Sequence, residues 1–543
     1  MVFARRSTTL LAAIIASCAM VLSLTACTSD NKTVVDGQTT VTSNSAGGVA
    51  VFTPSDGITL NQQTPLNKWA KLVPDLAKAL GDAGFKKGDI DHTTSDSLAK
   101  QSRAIQDFVV DHLSNNTTDD SGIAIAPDNM TLLVAPVVEA DASTRQYGDY
   151  VSQNLSTNDA TDGEATSDGE SSEDDSSKDD SSNTESDSTA SDEQAQAVDR
   201  LVSSLKLAKE SGMHVVLLGN SIEGYKPDAF VKFSDAQTIG KLQAEKMVSK
   251  LKLDKASKDN PKYIEVLLPY TAVDEKGNAN DSTFAQEAFR GIWQVLGSYY
   301  QKGVVESPSG TLDGKSTEND WQAVAYDAAK EGSTAKVLDK RLAKTDGQST
   351  LTRIDGIITM NDYIASEVVK ELDDLGYTGS AADINPQITI SGIVGNITGK
   401  KDLSRDAVPD PIKSPENDNA NDSSSSDDDA DEDTSASDKD RDSQWPLVTG
   451  YGAYVSNIPS IVNGKQWMTG MEDRQTIATD IAHACAKLNK DEALNSMPSI
   501  RNSEVGGVKK IPTISEPLLA VSASNLKSAL IDPGYISLAD AGL

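Results

Sequence analysis

The chain reads as an α/β protein of two lobes, each a parallel sheet covered by helices on both faces. Three observations predict this. Short apolar runs suited to buried strands alternate with amphipathic helical patterns, the mark of successive strand–helix units. These units are too many for one sheet, and 543 residues leave room for two or three domains. Two low-complexity acidic tracts interrupt the pattern without ending it, so they enter as insertions and not as domain boundaries.

The first element is a leader. Residues 1–26 hold Arg5 and Arg6, an apolar run, and Leu24-Thr25-Ala26 directly before Cys27. A basic start, a short hydrophobic stretch and small residues at the cut predict a secretory signal peptide. The cysteine that follows is similar to the lipobox cysteine of bacterial lipoproteins, whose thiol becomes linked to diacylglycerol. Two acyl chains with an acylated amino terminus give stable anchoring, whereas one chain binds only marginally. The apolar run is short for a membrane span, and no second run follows it. Residues 27–48, rich in Ser, Thr, Asn and Gly, suit a flexible tether. The expected location is the outer face of the cell membrane.

Strand candidates then fall at 49–53, 122–127, 214–219, 263–269, 355–359, 388–394 and 446–450. Helical spacing joins Leu72, Leu76 and Leu80, then Leu98, Ile105, Phe108 and Val109, and later residues 364–375. The tracts 154–193 and 415–442 are too polar and charged to offset their ordering entropy, so disordered insertions are expected there.

Composition excludes several functions. With 49 basic and 82 acidic residues the formal charge is −33, which argues against a nucleic-acid partner. Much of the excess lies in the two tracts, leaving a mildly acidic body. Cys18 leaves with the leader and Cys27 takes lipid, so Cys485 is alone and no intramolecular disulfide is expected. Cys485 shares helical spacing with Ile481 and Leu488, which reads as core. His92, His112, His214 and His483 are dispersed without metal-ligand spacing. A nucleophile elbow, a phosphate loop, a dinucleotide fingerprint and an EF-hand order of ligands are all absent from the sequence. Neither catalysis, nor a metal, nor a cofactor is expected.

Four segments carry a family resemblance. Val448-Thr-Gly-Tyr-Gly-Ala453 followed by Ile461-Val-Asn-Gly-Lys-Gln-Trp-Met-Thr-Gly470 resembles the Thr-Gly-Gln-Asp-Ala … Gly-x-Gln-x-Met-Thr pattern of xylose-type sugar-binding proteins of ABC transporters. Asp355-Gly-Ile-Ile-Thr-Met-Asn-Asp362 is similar to that family's strand ending in Asn-Asp. Ser234-Asp-Ala-Gln-Thr-Ile-Gly-Lys-Leu-Gln-Ala244 is similar to its Gly-x-Leu-Gln-Ala helix start, and residues 511–535 resemble its last segment. The resemblance implies a type I periplasmic-binding-protein fold. Its lobes would be 49–230 plus 467–505 and 231–466 plus 506–543, joined by three crossings near 230–233, 465–468 and 506–512. It also implies a monomer that holds a sugar in the cleft between lobes and delivers it to an ABC permease.

In open parallel sheets ligands gather beyond the carboxyl ends of strands, so the residues there are the candidates. Asn361 and Asp362 end a strand; a carboxylate accepts hydroxyls and an amide both donates and accepts. Helix capping explains them equally, and Asp235 has the same two readings. Trp69, preceded by Lys68 where the family has Arg, offers a ring for the C–H face of a sugar or simply a core residue. Pro74 suits the first turn of the helix that follows.

Departures matter too. Gly219-Asn220 stands where the family has Asp-Arg, Tyr451-Gly452 where it has Gln-Asp, and Asn280-Asp281 only loosely matches its Asp-Asn-Asn. Losing an Arg and two carboxylates removes charge-assisted partners worth ~1.5–3 kcal/mol each. Asn220, Asn280, Asp281 and Tyr451 therefore join the candidates, with Tyr451 either stacking on a ligand or filling an unused cleft. The departures favour a second function, a sensor or surface-interaction lipoprotein that kept the fold and lost transport. A hydrolase using Asp362 and Asp235 is a third.

Overall fold

The computed structural model describes residues 34–35, 38–39, 46–55, 65–115, 125–138, 146–151, 153–156, 184–273, 280–343, 351–381 and 443–543. Cys27, the strand expected at 388–394 and the tract 415–442 lie outside them. Within residues 1–44, Val34–Val35 pairs antiparallel with Gln38–Thr39. Residues 45–543 form a separate unit.

The large unit opens with β1 (Gly48–Pro54), α1 (Trp69–Asp82), β2 (Ile90–Ser95), α2 (Leu98–Asn115), β3 (Met130–Val134), α3 (Thr184–Glu210), β4 (His214–Leu218) and β5 (Ala229–Lys232). These five strands lie parallel in the order β2-β1-β3-β4-β5, which places a topological switch between β1 and β3. Strand alternation feeds two cores. Val49, Val51, Leu133, Val216 and Leu218 face α1, while Ala50, Phe52, Leu132, Val134, Val215 and Leu217 face α2 and α3. Each of the Val, Leu and Phe side chains so buried contributes about 1.5–3 kcal/mol.

The second half continues with α4 (Ala236–Leu251), β6 (Lys262–Val266), α5 (Thr283–Gln301), β7 (Val305–Glu306), α6 (Ser333–Arg341), β8 (Gly356–Ile358), α7 (Asp362–Leu375) and β9 (Leu447–Val448). Its strands are parallel in the order β7-β6-β8-β9. Helices α4 and α5 cross at contact distance because two glycines face each other's backbone. A Cβ on Gly240 would sit 2.2 Å from the Ala288 carbonyl oxygen, and one on Gly291 would sit 2.0 Å from that of Gln237.

The chain goes on through β10 (Met468–Met471), α8 (Arg474–Leu488), the hairpin of β11 (Ile500–Val505) and β12 (Val508–Ser515), and β13 (Leu519–Ser522). Helix α8 packs on α1 and buries Ile477, Ile481 and Cys485 in the first lobe's core. β12 joins the first sheet parallel to β5, whereas β10 and β13 pair antiparallel beside the second lobe.

The chain therefore passes between lobes three times, between Lys232 and Ala236, between Met471 and Arg474, and between Ser515 and Leu519. Two of these passages differ from expectation. Met468–Met471 stays with the second lobe because Gly470 N–H donates to the Gly450 carbonyl, so the second crossing follows β10 instead of preceding it. At 506–512 the chain turns within the first sheet. Gly506 and Gly507 adopt φ of +55° and +78°, and a Cβ on Gly506 would lie 2.3 Å from the Ile222 carbonyl oxygen. The third crossing comes after Ser515.

Local corrections follow the same logic. Of the strand expected at 122–127 only 125–127 lie among the described residues, and there Pro127 opens a 3-10 turn over Pro127–Asn129; the strand that follows it is Met130–Val134, every residue of which is buried. Both ends of the tract 154–193 are regular, since Asn154–Leu155 pairs with Ser221–Ile222 and α3 begins at Thr184. Pro74 lies in the second turn of α1, which starts earlier, at Trp69.

Candidate functional site

The two sheets direct the carboxyl ends of their strands toward the crossings, and every candidate from the sequence sits there or on the adjoining helix starts. Met360 carries the backbone from β8 into α7 at φ +67°, a conformation that side chains other than glycine rarely adopt. The next two residues split their work. Asn361 caps α7 by accepting from the Ile364 N–H at 2.9 Å. Asp362 is fully buried and ties three segments together. Its Oδ1 accepts from Gln466 Nε2 at 2.7 Å, and its Oδ2 from Tyr454 N at 2.9 Å and Thr469 Oγ1 at 2.8 Å. Its own N–H donates to the Tyr451 carbonyl. Burial pushes this carboxyl up to about 6, against the pull of its donors. The carboxylate expected to accept ligand hydroxyls thus spends its acceptors within the second lobe, on the chain that leads from β9 into β10.

Tyr451 occupies the seam. Its ring is wholly buried and its phenol meets groups from three other segments. Asn67 Nδ2 donates to the phenol oxygen at 3.0 Å, Ser234 Oγ shares a short hydrogen bond with it, and the phenol reaches Glu472 Oε1 at 3.4 Å. The same Glu472 oxygen accepts from the Ser234 N–H at 2.5 Å. Burial drives the Glu472 carboxyl up to about 7, with the Ser234 and Tyr451 donors opposing, and raises the Tyr451 phenol well above its ordinary value. Ser234 precedes α4, and Glu472 lies between β10 and α8, so this cluster holds the first two crossings against the end of β9. Tyr451 thus lies within the seam, its phenol engaged by groups of the chain itself.

Other candidates are engaged by one run of chain, Gln146–Val151 with Gln153. Asn361 Nδ2 donates to Gln146 Oε1 at 3.0 Å, and the Tyr454 hydroxyl donates to the Gln146 carbonyl at 2.7 Å. Tyr147 packs between Phe284 and Tyr451, with ring centroids 4.8 and 6.3 Å away. Gly148, at φ +97°, lets the run press on Asn67, whose carbonyl oxygen a Cβ would meet at 2.6 Å. Asp149 takes Lys68 Nζ at 2.7 Å and the Trp69 N–H at 3.1 Å. Tyr150 stacks on Phe233 at 4.7 Å and meets the Trp69 ring edge-on at 5.0 Å. Gln153 N–H donates to Asn220 Oδ1, while Asn220 Nδ2 donates to the Pro136 carbonyl. Trp69 is therefore core, 2% exposed, and offers no free face.

Three candidates are engaged locally. Asp235 caps α4 through Thr238 and pairs with Lys232. Asp281 accepts from Thr283 N and Oγ1, and Asn280 donates to the Thr271 carbonyl. Among the described residues no group of three or more His, Cys, Asp or Glu is placed to hold a metal ion. An open groove of about 500 Å³ lies at the opposite, amino-terminal edge of the first sheet, beside His214 and Pro512. Sequence reasoning missed Asn67, Gln146, Tyr147, Asp149 and Glu472, because their meaning comes only from long-range contact.

No family model matches the chain, and no curated protein does. Among solved structures, an ABC transporter solute-binding protein from Clostridium phytofermentans with bound β-D-glucose superposes with a TM-score of 0.44 at 17% identity, covering 91% of this chain and 99% of that one. A carbohydrate transporter solute-binding protein from Chloroflexus aurantiacus in complex with D-glucose gives 0.43 at 18%, covering 92% and 98%. An arabinose-binding protein from Geobacillus stearothermophilus gives 0.41 at 10%, covering 89% and 99%.

Proposed function

We propose that this chain is an extracytoplasmic solute-binding lipoprotein, anchored through Cys27, that takes a hydroxyl-rich solute such as a sugar between its lobes and passes it to an ABC permease. One observation carries the reading. Two parallel sheets of like strand order turn their carboxyl edges toward one seam spanned by three crossings, and amide, hydroxyl and carboxyl groups from both lobes converge there. The sequence resemblance supports the same solute class. A ligand that contacts both lobes shifts the population toward closure by its differential affinity for that state.

A second reading has its own support. The fully buried Tyr451 and the pairing of Lys68 and Asn361 within the chain suit a sensor or surface-interaction lipoprotein that no longer transports. Titration calorimetry of the protein with mono- and oligosaccharides decides between them. Saturable heat from any sugar, reduced at least tenfold in affinity by Asn361→Ala, supports transport. Silence across the panel gives the second reading.

A further inference from the structure

We propose that Gln146–Val151 is a built-in occupant of the cleft, an autoinhibitory strap that holds the lobes together in the absence of a solute and has to withdraw before one can enter. The proposal rests on the reading of the seam as a binding cleft. Of the nine positions that the sequence marks as ligand contacts, five are engaged by this run or its continuation at Gln153: Lys68, Trp69, Asn220, Asn361 and Tyr451. The chemistry of the contacts matches the groups covered. A side-chain amide answers Asn361, a carboxylate answers Lys68, and a ring lies against Tyr451, as a polar ligand with one flat face would arrange them.

The strap also bridges. Its first residues belong to the second lobe, where the Tyr147 ring is 1% exposed in that lobe's core and Gln146 binds Asn361 and Tyr454. Asp149 and Tyr150 are fastened to Lys68, Trp69 and Phe233 of the first. Opening the lobes must break one set or the other. Gly148 marks the change of direction, where the backbone passes too close to Asn67 for any side chain. Solute and strap therefore compete for one set of groups, and apparent solute affinity is lowered by the fraction of molecules with the strap in place.

Hydrogen exchange read by mass spectrometry on the full chain in detergent tests this. In the double variant Gln146→Ala/Tyr147→Ala, amides in 65–72, 359–366 and 449–456 are expected to exchange at least tenfold faster, with the strands β3 and β4 unchanged. If β3 and β4 also lose protection, Asp149→Asn serves instead, with about threefold acceleration expected in 65–72. Unchanged exchange across those covered peptides, in whichever variant keeps β3 and β4 protected, overturns the strap. D-glucose and D-xylose titrations separate this from the transport reading. Tenfold tighter sugar binding by the double variant supports both. Accelerated exchange with no sugar heat keeps the strap and removes transport, whereas equal sugar affinity in both chains with the strap still protected at saturation removes the strap alone.

Discussion

Glu472 makes stability depend on pH in a direction opposite to that of an ordinary paired carboxylate. Its carboxyl is wholly buried between the second crossing and Tyr451, and titrates at about 7 in the folded chain. In the unfolded chain this glutamate titrates near its ordinary value of 4.5. The folded state thus binds the proton more tightly, and between those two values it carries more protons than the unfolded state. Stability from this group is complete below about pH 4 and falls away as pH rises through about 7. A difference of some 2.5 units is worth about 3 kcal/mol. Glu472→Gln removes the titration and keeps an oxygen to accept from Ser234 and Tyr451. Urea unfolding at constant ionic strength, from pH 4.5 to 8.5, compares the two chains, and their difference cancels the repulsion that a charge of −33 adds to both. The two chains are expected to agree within about 1 kcal/mol at pH 5, and the variant to be about 2–3 kcal/mol more stable at pH 8.5. A flat difference across this range, or a variant weaker at high pH, would refute the argument.

Three further outcomes follow from the contacts. Asp362→Ala orphans Gln466, Thr469 and the Tyr454 N–H, so about 3 kcal/mol of stability is lost at about 1 kcal/mol per donor; an unchanged melting temperature would return Asp362 to ligand binding. Gly240→Ala drives a methyl against the Ala288 carbonyl, costing about 1–3 kcal/mol through separation of α4 and α5, read as a lower unfolding midpoint. Cys485 is fully buried and its thiol is held well above the usual range, so a maleimide should label it only at the rate of unfolding; fast labelling of the folded chain would contradict its place in the core.

What could be read without coordinates were the elements whose own residues bury apolar area. Val49–Phe52 and Val215–Leu218 present apolar groups to both faces of the sheet, and Leu72, Leu76 and Leu80 line one face of α1, so local periodicity sufficed. β2 escaped notice because Ile90–Ser95 is polar and largely exposed; it is a strand only by pairing with β1. The capping readings of Asp235 and Asn361 were likewise legible, since an N-cap bond spans three residues.

The sequence by itself determined the two-lobed parallel architecture and the neighbourhoods at strand ends where the candidate residues lie. Only the tertiary structure decided what those neighbourhoods contain. Gln146 meets Asn361 across 215 residues, and Asn67 meets Tyr451 across 384. Contacts of that separation leave no trace in local spacing, because a hydrogen bond depends on where two backbones end up and not on how far apart they lie in the chain. That is why the same Tyr451 that reads as either a stacking platform or a filler becomes, once folded, the centre of a seam the protein closes with its own residues.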